Sequence, residues 1–243
     1  MTSPDTPHTP LHARLRDALQ TQILDGKLQP GDRLPSEAEL AASHGVSRIT
    51  VRNALGALQG AGLIVRQQGR GAFVAPPVNA QQSLDHLQGL GAALEARGQH
   101  VHNKRLQMRR CKAPAFVAQA LGLPAGATVI NMTMLRYVDR AALSVNQSYY
   151  PLGLGERLAR LDLSTRDLID VLEHDLGLPV ARAELDIGAC PMPAPAARRL
   201  GVAHGAPALQ VQRVLFDAKD QAIQVETIFF RGDAFTYRLS LRR

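Results

Sequence analysis

Arginine and short hydroxyl side chains recur in a stretch of the chain that has no carboxylate. Between Leu40 and Leu84 there is no Asp or Glu. Within it, residues 47–52 read Ser-Arg-Ile-Thr-Val-Arg and residues 68–71 read Gln-Gly-Arg-Gly. Guanidinium groups donate hydrogen bonds to phosphates and to guanine O6 and N7, and hydroxyl groups suit phosphate oxygens. These residues therefore favour the recognition of a polyanion.

Helices and a hairpin are predicted to position these side chains. Ser36, followed three residues later by Glu39, predicts a capped helix, Gly45 a tight turn, and Ser47 the cap of the next helix. Apolar pairs on both sides of a Gly-rich turn, between residues 64 and 74, predict a two-stranded hairpin. This is the layout of a winged helix-turn-helix, whose second helix enters the DNA major groove.

The composition agrees with such a partner and excludes other classes. The chain has 243 residues, 45% of them hydrophobic, and a formal net charge of +7, which suits one or two globular domains and a polyanionic partner. Cys111 and Cys190 stand in unlike surroundings and form no disulfide framework. Because there is no run of eighteen apolar residues and no signal peptide, we expect a cytoplasmic protein without a membrane span.

The Pro-Pro pair at 76–77 marks the predicted domain boundary. We predict a disordered tail (1–10), the winged helix-turn-helix (11–75), a linker (76–82) and a second domain (83–243). In the second domain the pattern predicts helices at 83–97, 114–121, 165–176 and 193–200, and strands at 101–111, 128–138, 143–150, 180–189, 208–217, 222–230 and 234–241. This is an α+β arrangement, an antiparallel sheet with helices on it. Similar segments after Lys112 and from Pro193 onward indicate internal pseudo-symmetry.

Three motifs identify a family. They begin at Pro30 (Pro-Gly-Asp-Arg-Leu-Pro-Ser-Glu), Val46 (Val-Ser-Arg-Ile-Thr-Val-Arg) and Phe230 (Phe-Arg-Gly-Asp-Ala-Phe-Thr-Tyr). With them the chain resembles the GntR family of bacterial transcription regulators, in the HutC-type branch with a UTRA effector domain. The resemblance implies a chorismate-lyase-like second domain, no cofactor, and a homodimer. It also implies a repressor that binds a palindromic double-stranded DNA operator and is released by a small-molecule effector.

The helix geometry and the resemblance together assign the DNA contacts. The predicted DNA-binding residues are Ser36, Ser47, Arg48, Thr50, Arg52, Gly69, Arg70 and Gly71. Family members often carry an arginine where this chain has Ala38, so we expect one base or phosphate contact to be missing.

The effector site is assigned by resemblance. UTRA domains that bind sugar phosphates hold the phosphate with an Arg-x-Arg pair on a central strand, where this chain has Met134 and Arg136. A Ser and a Tyr are common at the start of the following helix, where it has Asp167 and Ile169. One arginine beside Asp167 would compensate a phosphate poorly, so we expect a carboxylate or a zwitterion. The predicted effector-binding residues are Arg136, Asn146, Asp167, Gln224 and Glu226.

Two other functions compete with this interpretation. A chorismate-lyase-like fold admits an enzyme, but the sequence has no nucleophile elbow, HExxH motif or phosphate loop. His100 and His102 have the spacing of two metal ligands on one strand face, yet they lack a nearby cysteine or carboxylate, so no metal site is predicted. An architectural DNA binder without an effector response is the remaining alternative.

Overall fold

Helices and a hairpin form the first of two units. The computed structural model describes residues 10–75 and 79–241, and its contacts divide the chain into residues 1–77 and 78–243. The elements of the first unit are α1 (Leu11–Leu24), α2 (Glu37–His44), α3 (Arg48–Gly60), β1 (Ile64–Gln67) and β2 (Gly71–Val74). Their apolar side chains meet in one core, in which Leu19, Leu55 and Leu58 are almost fully buried. The winged helix-turn-helix prediction is confirmed.

The helix ends follow from the local signals in the sequence. Ser36 Oγ accepts a hydrogen bond from Glu39 N at 3.3 Å, while Ser36 N donates to the Glu39 carboxylate at 2.7 Å, which is the predicted capping box. Gly45 ends α2 with a φ of +61°, a conformation that glycine adopts without steric cost. Ser47 Oγ then accepts from Thr50 N at 3.2 Å, so that α3 begins at Arg48.

A six-stranded antiparallel sheet organises the second unit. Its strands are β4 (Val101–Lys112), β5 (Thr128–Val138), β6 (Ala141–Pro151), β7 (Val180–Pro191), β8 (Pro207–Asp217) and β9 (Ala222–Arg231), in the order β4-β5-β6-β9-β8-β7. Beside it, β3 (Ala80–Ser83) and β10 (Phe235–Arg238) form a parallel pair. The helices are α4 (Leu90–Glu95), α5 (Ala115–Ala120), α6 (Leu152–Leu158), α7 (Leu168–Asp170) and α8 (Ala194–Leu200), and a π-helical turn (Val171–Asp175) continues α7.

The sheet has the internal pseudo-symmetry that the sequence predicts. Both halves, β4–α5–β5–β6 and β7–α8–β8–β9, run strand, helix, strand, strand. From each edge of the sheet inward the strands follow in the same order, β4-β5-β6 in the first half and β7-β8-β9 in the second. Gly122 and Gly126 have φ values of +62° and +74°, and Gly201 and Gly205, 79 positions later (122 to 201), have +69° and +80°. The two halves therefore share their turns as well as their order of elements.

The two faces of the sheet differ in what they bury. On one face, α5 and α8 cover apolar clusters that contain Val117 and Leu200. On the other face, one cluster around Phe230 packs with α4, β3 and β10, and another around Leu172 packs with α6 and α7. Along the strands, polar side chains stand between these two clusters. On β5, for example, Arg136 separates Met134 of one cluster from Val138 of the other.

Some element predictions are wrong. The helix predicted at 83–97 shortens to α4, because Ser83 ends the strand that pairs with β10, residues 84–89 form a bend and loop, and residues 96–98 form a turn. Residues 80–82, which the sequence assigns to the linker, therefore lie in β3. The helix predicted at 165–176 becomes the short α7 and its π turn, and α6 was not predicted at all. Residues 76–78 of the predicted linker and 1–9 of the predicted tail lie outside the described residues.

Candidate DNA interface and effector site

The first turns of α3 expose three side chains on the face opposite the core. Val51 and Ala54 are buried, so the helical period turns Arg48, Ile49 and Arg52 outward. In the described ranges, 10–75 and 79–241, neither guanidinium has a hydrogen-bond or ion-pair partner. Ile49 is 72% exposed, which is unusual for a large apolar side chain in a folded domain. Sequence reasoning missed Ile49, because its type gives no sign that it faces outward.

The predicted hydroxyl residues lie at helix starts. Ser36 caps α2 and Ser47 caps α3, and in both caps the hydroxyl oxygen accepts from the backbone. Ser47 Oγ also lies 2.9 Å from Thr50 Oγ1, so one of these hydroxyls donates to the other. The first backbone N–H groups of both helices lie beside these side chains, and such groups attract phosphate.

The hairpin turn carries the remaining predicted contacts. Gly69 and Gly71 have φ values of +73° and +111°, which explains glycine at both positions. The Arg70 guanidinium lies 5.9 Å from the centre of the Phe73 ring. Near the hairpin turn, Arg66 forms an ion pair with Glu37 at 3.0 Å, which links β1 to the first turn of α2.

Arg136 lies among the polar side chains that separate the two apolar clusters on this face of the sheet. We call this set the polar band; it comprises Asn103, Arg136, Asn146, Ser148, Arg213, Gln224 and Glu226. Arg136 is 8% exposed, and its Nε donates to Asn103 Oδ1 at 2.9 Å. Asn103 Nδ2 in turn donates to the Leu163 carbonyl at 3.0 Å, so the orientation of Asn103 is fixed. The terminal nitrogens of Arg136 have no partner in the part of the chain that the structure describes. Asn103 was not predicted, because a β-bulge between residues 105 and 107 interrupts the alternation along β4.

Glu226 is the acceptor at the centre of this band. Its Oε1 accepts from Asn146 Nδ2 at 3.0 Å and from Ser148 Oγ at 2.9 Å, and its Oε2 accepts from Arg213. Burial acts to raise the pKa of this carboxyl, but the Arg213 charge and the hydrogen bond from Asn146 outweigh it and hold the pKa below its ordinary value. Glu226 is therefore a buried carboxylate that fixes Arg213 and Asn146.

Gln224 lies two positions before Glu226 on the same face of β9. It is fully buried, and its Nε2 donates to Tyr150 Oη at 3.1 Å. Burial raises the pKa of Tyr150, so that its hydroxyl stays protonated. The structure thus brings Arg136, Asn146, Gln224 and Glu226 to one face of the sheet.

Asp167 lies apart from these four residues and lines a cavity of about 480 Å³ to which none of the four contributes. Its Oδ2 accepts from Ala92 N at 2.9 Å, and a Cβ atom on Gly89 would come within 2.2 Å of Asp167 Cγ. The absence of a side chain on Gly89 therefore lets this carboxylate sit on the first turn of α4. Glu95 and Glu173 also line the cavity, and so does Asn103, which connects it to Arg136.

The alternative sites do not assemble. The ring of His102 stacks on Tyr137 with 4.6 Å between centroids. Among the described residues there is no group of three or more His, Cys, Asp or Glu side chains that could hold a metal ion. In the same ranges, no helix is long and apolar enough to cross a membrane.

Comparison with known families decides the assignment. A profile of the gntR family of bacterial regulatory proteins matches residues 11–74, and a profile of the UTRA domain matches residues 96–236. The chain belongs to the GntR family. It is a DNA-binding transcription regulator with a UTRA domain, and it is not an enzyme.

Individual relatives match over nearly the whole chain. The transcriptional repressor NagR of Bacillus subtilis is 28% identical over 228 residues, which are 94% of this chain and 93% of the relative. The transcriptional regulator Rv0792c of Mycobacterium tuberculosis is 32% identical over 240 residues, 96% of this chain and 87% of the relative. The crystal structure of PhnF from Mycobacterium smegmatis superposes with a TM-score of 0.64 at 26% identity, and covers 94% of this chain and 99% of that one. The predicted α+β fold of the GntR regulator is confirmed.

Proposed function

We propose that this GntR regulator is a cytoplasmic homodimeric repressor that leaves a palindromic operator when a small carboxylate or zwitterion binds its UTRA domain. The observation that carries the DNA half of the proposal is the pair of unpartnered guanidinium groups, Arg48 and Arg52, on the exposed face of α3. Because bases are read by side chains at the start of a recognition helix, these two arginines are placed to contact guanine edges.

The neighbouring residues supply the other contacts of a major-groove complex. Ile49 offers an apolar surface for a thymine methyl group. The remaining proposed contacts, to phosphates or the minor groove edge, come from Ser36, Ser47, Thr50, Gly69, Arg70 and Gly71. Ala38 cannot donate a hydrogen bond through its side chain. In this proposal, α3 and the β1–β2 hairpin therefore provide most of the base recognition.

Charge supports a carboxylate or zwitterion over a sugar phosphate. Arg136 brings one positive charge with free donors, whereas the adjoining cavity is lined by the carboxylates of Glu95, Asp167, Asp170 and Glu173. The guanidinium of Arg166 also lines this cavity, but it is already ion-paired with Asp170 and Asp175. A phosphate dianion would meet this negative lining with Arg136 as its one free guanidinium. Asn146, Gln224 and Glu226 complete the proposed site, with Glu226 acting through the groups it holds in place. A carboxylate needs only the partner that Arg136 offers.

Effector binding releases the operator through thermodynamic linkage between the two binding sites. If the effector binds one conformation of the dimer better and the operator binds another better, each weakens the binding of the other by the same factor. A coupling of about 1–3 kcal/mol corresponds to a change in operator affinity of about 5–150-fold.

The test measures DNA binding and release in one assay. A DNA site is selected from a random pool with the full-length protein, and its affinity is followed by fluorescence anisotropy at fixed salt. We expect Arg52→Ala to cost roughly 1–3 kcal/mol of specific binding. The control is Arg140→Ala, an exposed arginine in the turn between β5 and β6. Unchanged affinity of the Arg52 variant would exclude the proposed docking.

The effector is then sought by adding metabolites to the complex. Carboxylates, amino acids and sugar phosphates are titrated separately, and we expect release by a member of the first two groups. Release by sugar phosphates alone would show that the charge argument at Asp167 is wrong. No release by any of the three would favour the architectural DNA binder.

A further inference from the structure

Two buried polar atoms on the sheet have no hydrogen-bond partner. They are Arg213 Nε and Gln224 Oε1, and among the described residues no other buried side-chain nitrogen or oxygen is left unpaired. Buried polar groups without a partner are rare, because they lose their hydration and gain nothing in return. One of these atoms is a donor and the other an acceptor.

The two residues are diagonal neighbours on one face of adjacent strands. Arg213 on β8 stands opposite Glu226, and Gln224 stands two positions away on β9, opposite Leu215. Diagonal pairs of this kind lie within reach of each other's long side chains. Arg213 Nη2 donates to Glu226 Oε2 and Gln224 Nε2 donates to Tyr150 Oη, so both side chains are held in place. Arg213 Nε and Gln224 Oε1 stay buried without a partner among the described residues.

The internal repeat identifies the position in the first half of the sheet that corresponds to Arg213. The offset of 79 positions that relates Gly122 to Gly201 also relates Met134 on β5 to Arg213 on β8. The first half of the sheet has no arginine at this position, and the second half has one. The polar band thus contains two guanidinium groups, one from each half.

We propose that Arg213 and Gln224 form a second subsite of the effector site, which binds a hydroxyl group of a hydroxylated carboxylate held at Arg136. A hydroxyl can accept a hydrogen bond from Arg213 Nε and donate one to Gln224 Oε1, whereas an ammonium group can only donate. This inference rests on the proposed function, because it uses Arg136 as the anchor of the carboxylate.

Charge and geometry agree with one ligand that spans both subsites. Arg136, Arg213 and Glu226 together carry one net positive charge, which a single carboxylate neutralises. β5 and β8 lie three strand spacings apart, or about 14 Å, and Arg213 reaches from β8 toward Glu226 of β9, which shortens the distance that one ligand must span. The Arg213 side chain is 17% exposed whereas Gln224 is fully buried, so a ligand would enter the subsite from the Arg213 side.

The experiment compares ω-hydroxycarboxylates of three to six carbons with the parent carboxylates that lack the hydroxyl. Binding to the full-length dimer is measured by calorimetry or by ligand-observed NMR. We expect at least one hydroxy acid to bind tenfold or more tightly than its parent. If the hydroxyl adds no affinity at any chain length, the second subsite does not exist.

Two variants locate the effect. Arg213→Lys keeps a positive charge for Glu226 but has no Nε donor, and Gln224→Met keeps the length of the side chain but has no acceptor oxygen. In both, we expect the advantage of the hydroxy acid over its parent to disappear, with thermal unfolding used to confirm that the variants are folded. Arg140→Lys, an exposed exchange of the same type, should leave the advantage intact.

Arg136→Met separates this inference from the proposed function. If Arg136→Met abolishes binding of the parent carboxylate while Arg213→Lys leaves the hydroxyl advantage unchanged, the effector site stands and the second subsite is wrong. If neither variant changes any binding, both proposals fail.

Discussion

The buried carboxylate of Glu226 stays ionised because a few specific side chains donate hydrogen bonds to it. A carboxylate buried in the middle of a sheet is expensive, and here Arg213, Asn146 and Ser148 together satisfy both of its oxygens. Such a pair is costly to break from one side, because the partner then remains charged and buried without compensation. The same contacts that prepare the proposed effector site therefore also contribute to the stability of the sheet.

The pH dependence of stability should reveal this carboxylate. Because the pKa of Glu226 is lower in the folded chain than its ordinary value of 4.5, the unfolded chain binds more protons as the solution is acidified. The contribution of Glu226 is complete above about pH 4.5 and is lost as the pH falls through the folded pKa. We expect Glu226→Gln to lower the free energy of unfolding by about 3–5 kcal/mol at pH 7 and by less at pH 3.

Urea unfolding at a series of pH values measures this difference. The matched control is Glu95→Gln, because Glu95 is exposed and has no ion pair in the described part of the chain. A Glu226→Gln deficit that stays constant between pH 7 and pH 3 would mean that Glu226 does not contribute as a carboxylate.

Site residues placed by local contacts can be predicted from the sequence, whereas those placed by contacts between distant parts of the chain cannot. Gln224 and Glu226 can be assigned to one strand face from their spacing of two. Asn103 and Arg213 cannot, because a bulge shifts the alternation of β4 and because the position of β8 beside β9 is set by long-range pairing. The helix positions of the proposed DNA-binding residues are easier to predict, since the caps at Ser36 and Ser47 fix the helices locally.

At the scale of elements, α6 shows why a local signal can mislead. Its sequence begins Leu-Gly-Leu-Gly, and two glycines argue against a helix because glycine loses the most backbone entropy. The structure explains one of them. A Cβ atom on Gly155 would come within 2.3 Å of Ile130 Cβ, so the helix packs closely on β5 only because this side chain is absent. A tertiary contact therefore outweighs the helix propensity.

The two glycines of α6 should respond in opposite directions to the same substitution. We expect Gly155→Ala to destabilise the chain by about 1–3 kcal/mol, because the added methyl group collides with Ile130. Gly153→Ala has open space and should stabilise by up to about 1 kcal/mol through helix propensity. Thermal or urea unfolding measures both. Equal effects of the two substitutions would contradict the close packing at Gly155.

At the scale of the whole molecule, the two edges of the sheet differ. β4 carries five basic residues, Lys104, Arg105, Arg109, Arg110 and Lys112, whereas β7 carries Arg182, Glu184 and Asp186 in its first half and is uncharged over residues 187–190, Ile-Gly-Ala-Cys. Charged residues on an edge strand prevent pairing with another sheet, and an uncharged apolar edge permits it. Two β4 edges would repel each other. Two β7 edges can pair antiparallel around a two-fold axis, so we propose a second copy of the chain as the partner of β7.

A lysine on the β7 edge should therefore dissociate the dimer. Ile187 is 40% exposed, and we expect Ile187→Lys to shift the protein toward monomer in sedimentation velocity, because two like charges would face each other across the axis. Operator affinity should fall at the same time, since the two half-sites would then be bound independently. Phe116→Lys, which places the same charge on a half-exposed aromatic of α5, should leave both measurements unchanged. If Phe116→Lys dissociates the protein and Ile187→Lys does not, the dimer uses the α5 face and β7 remains a free edge.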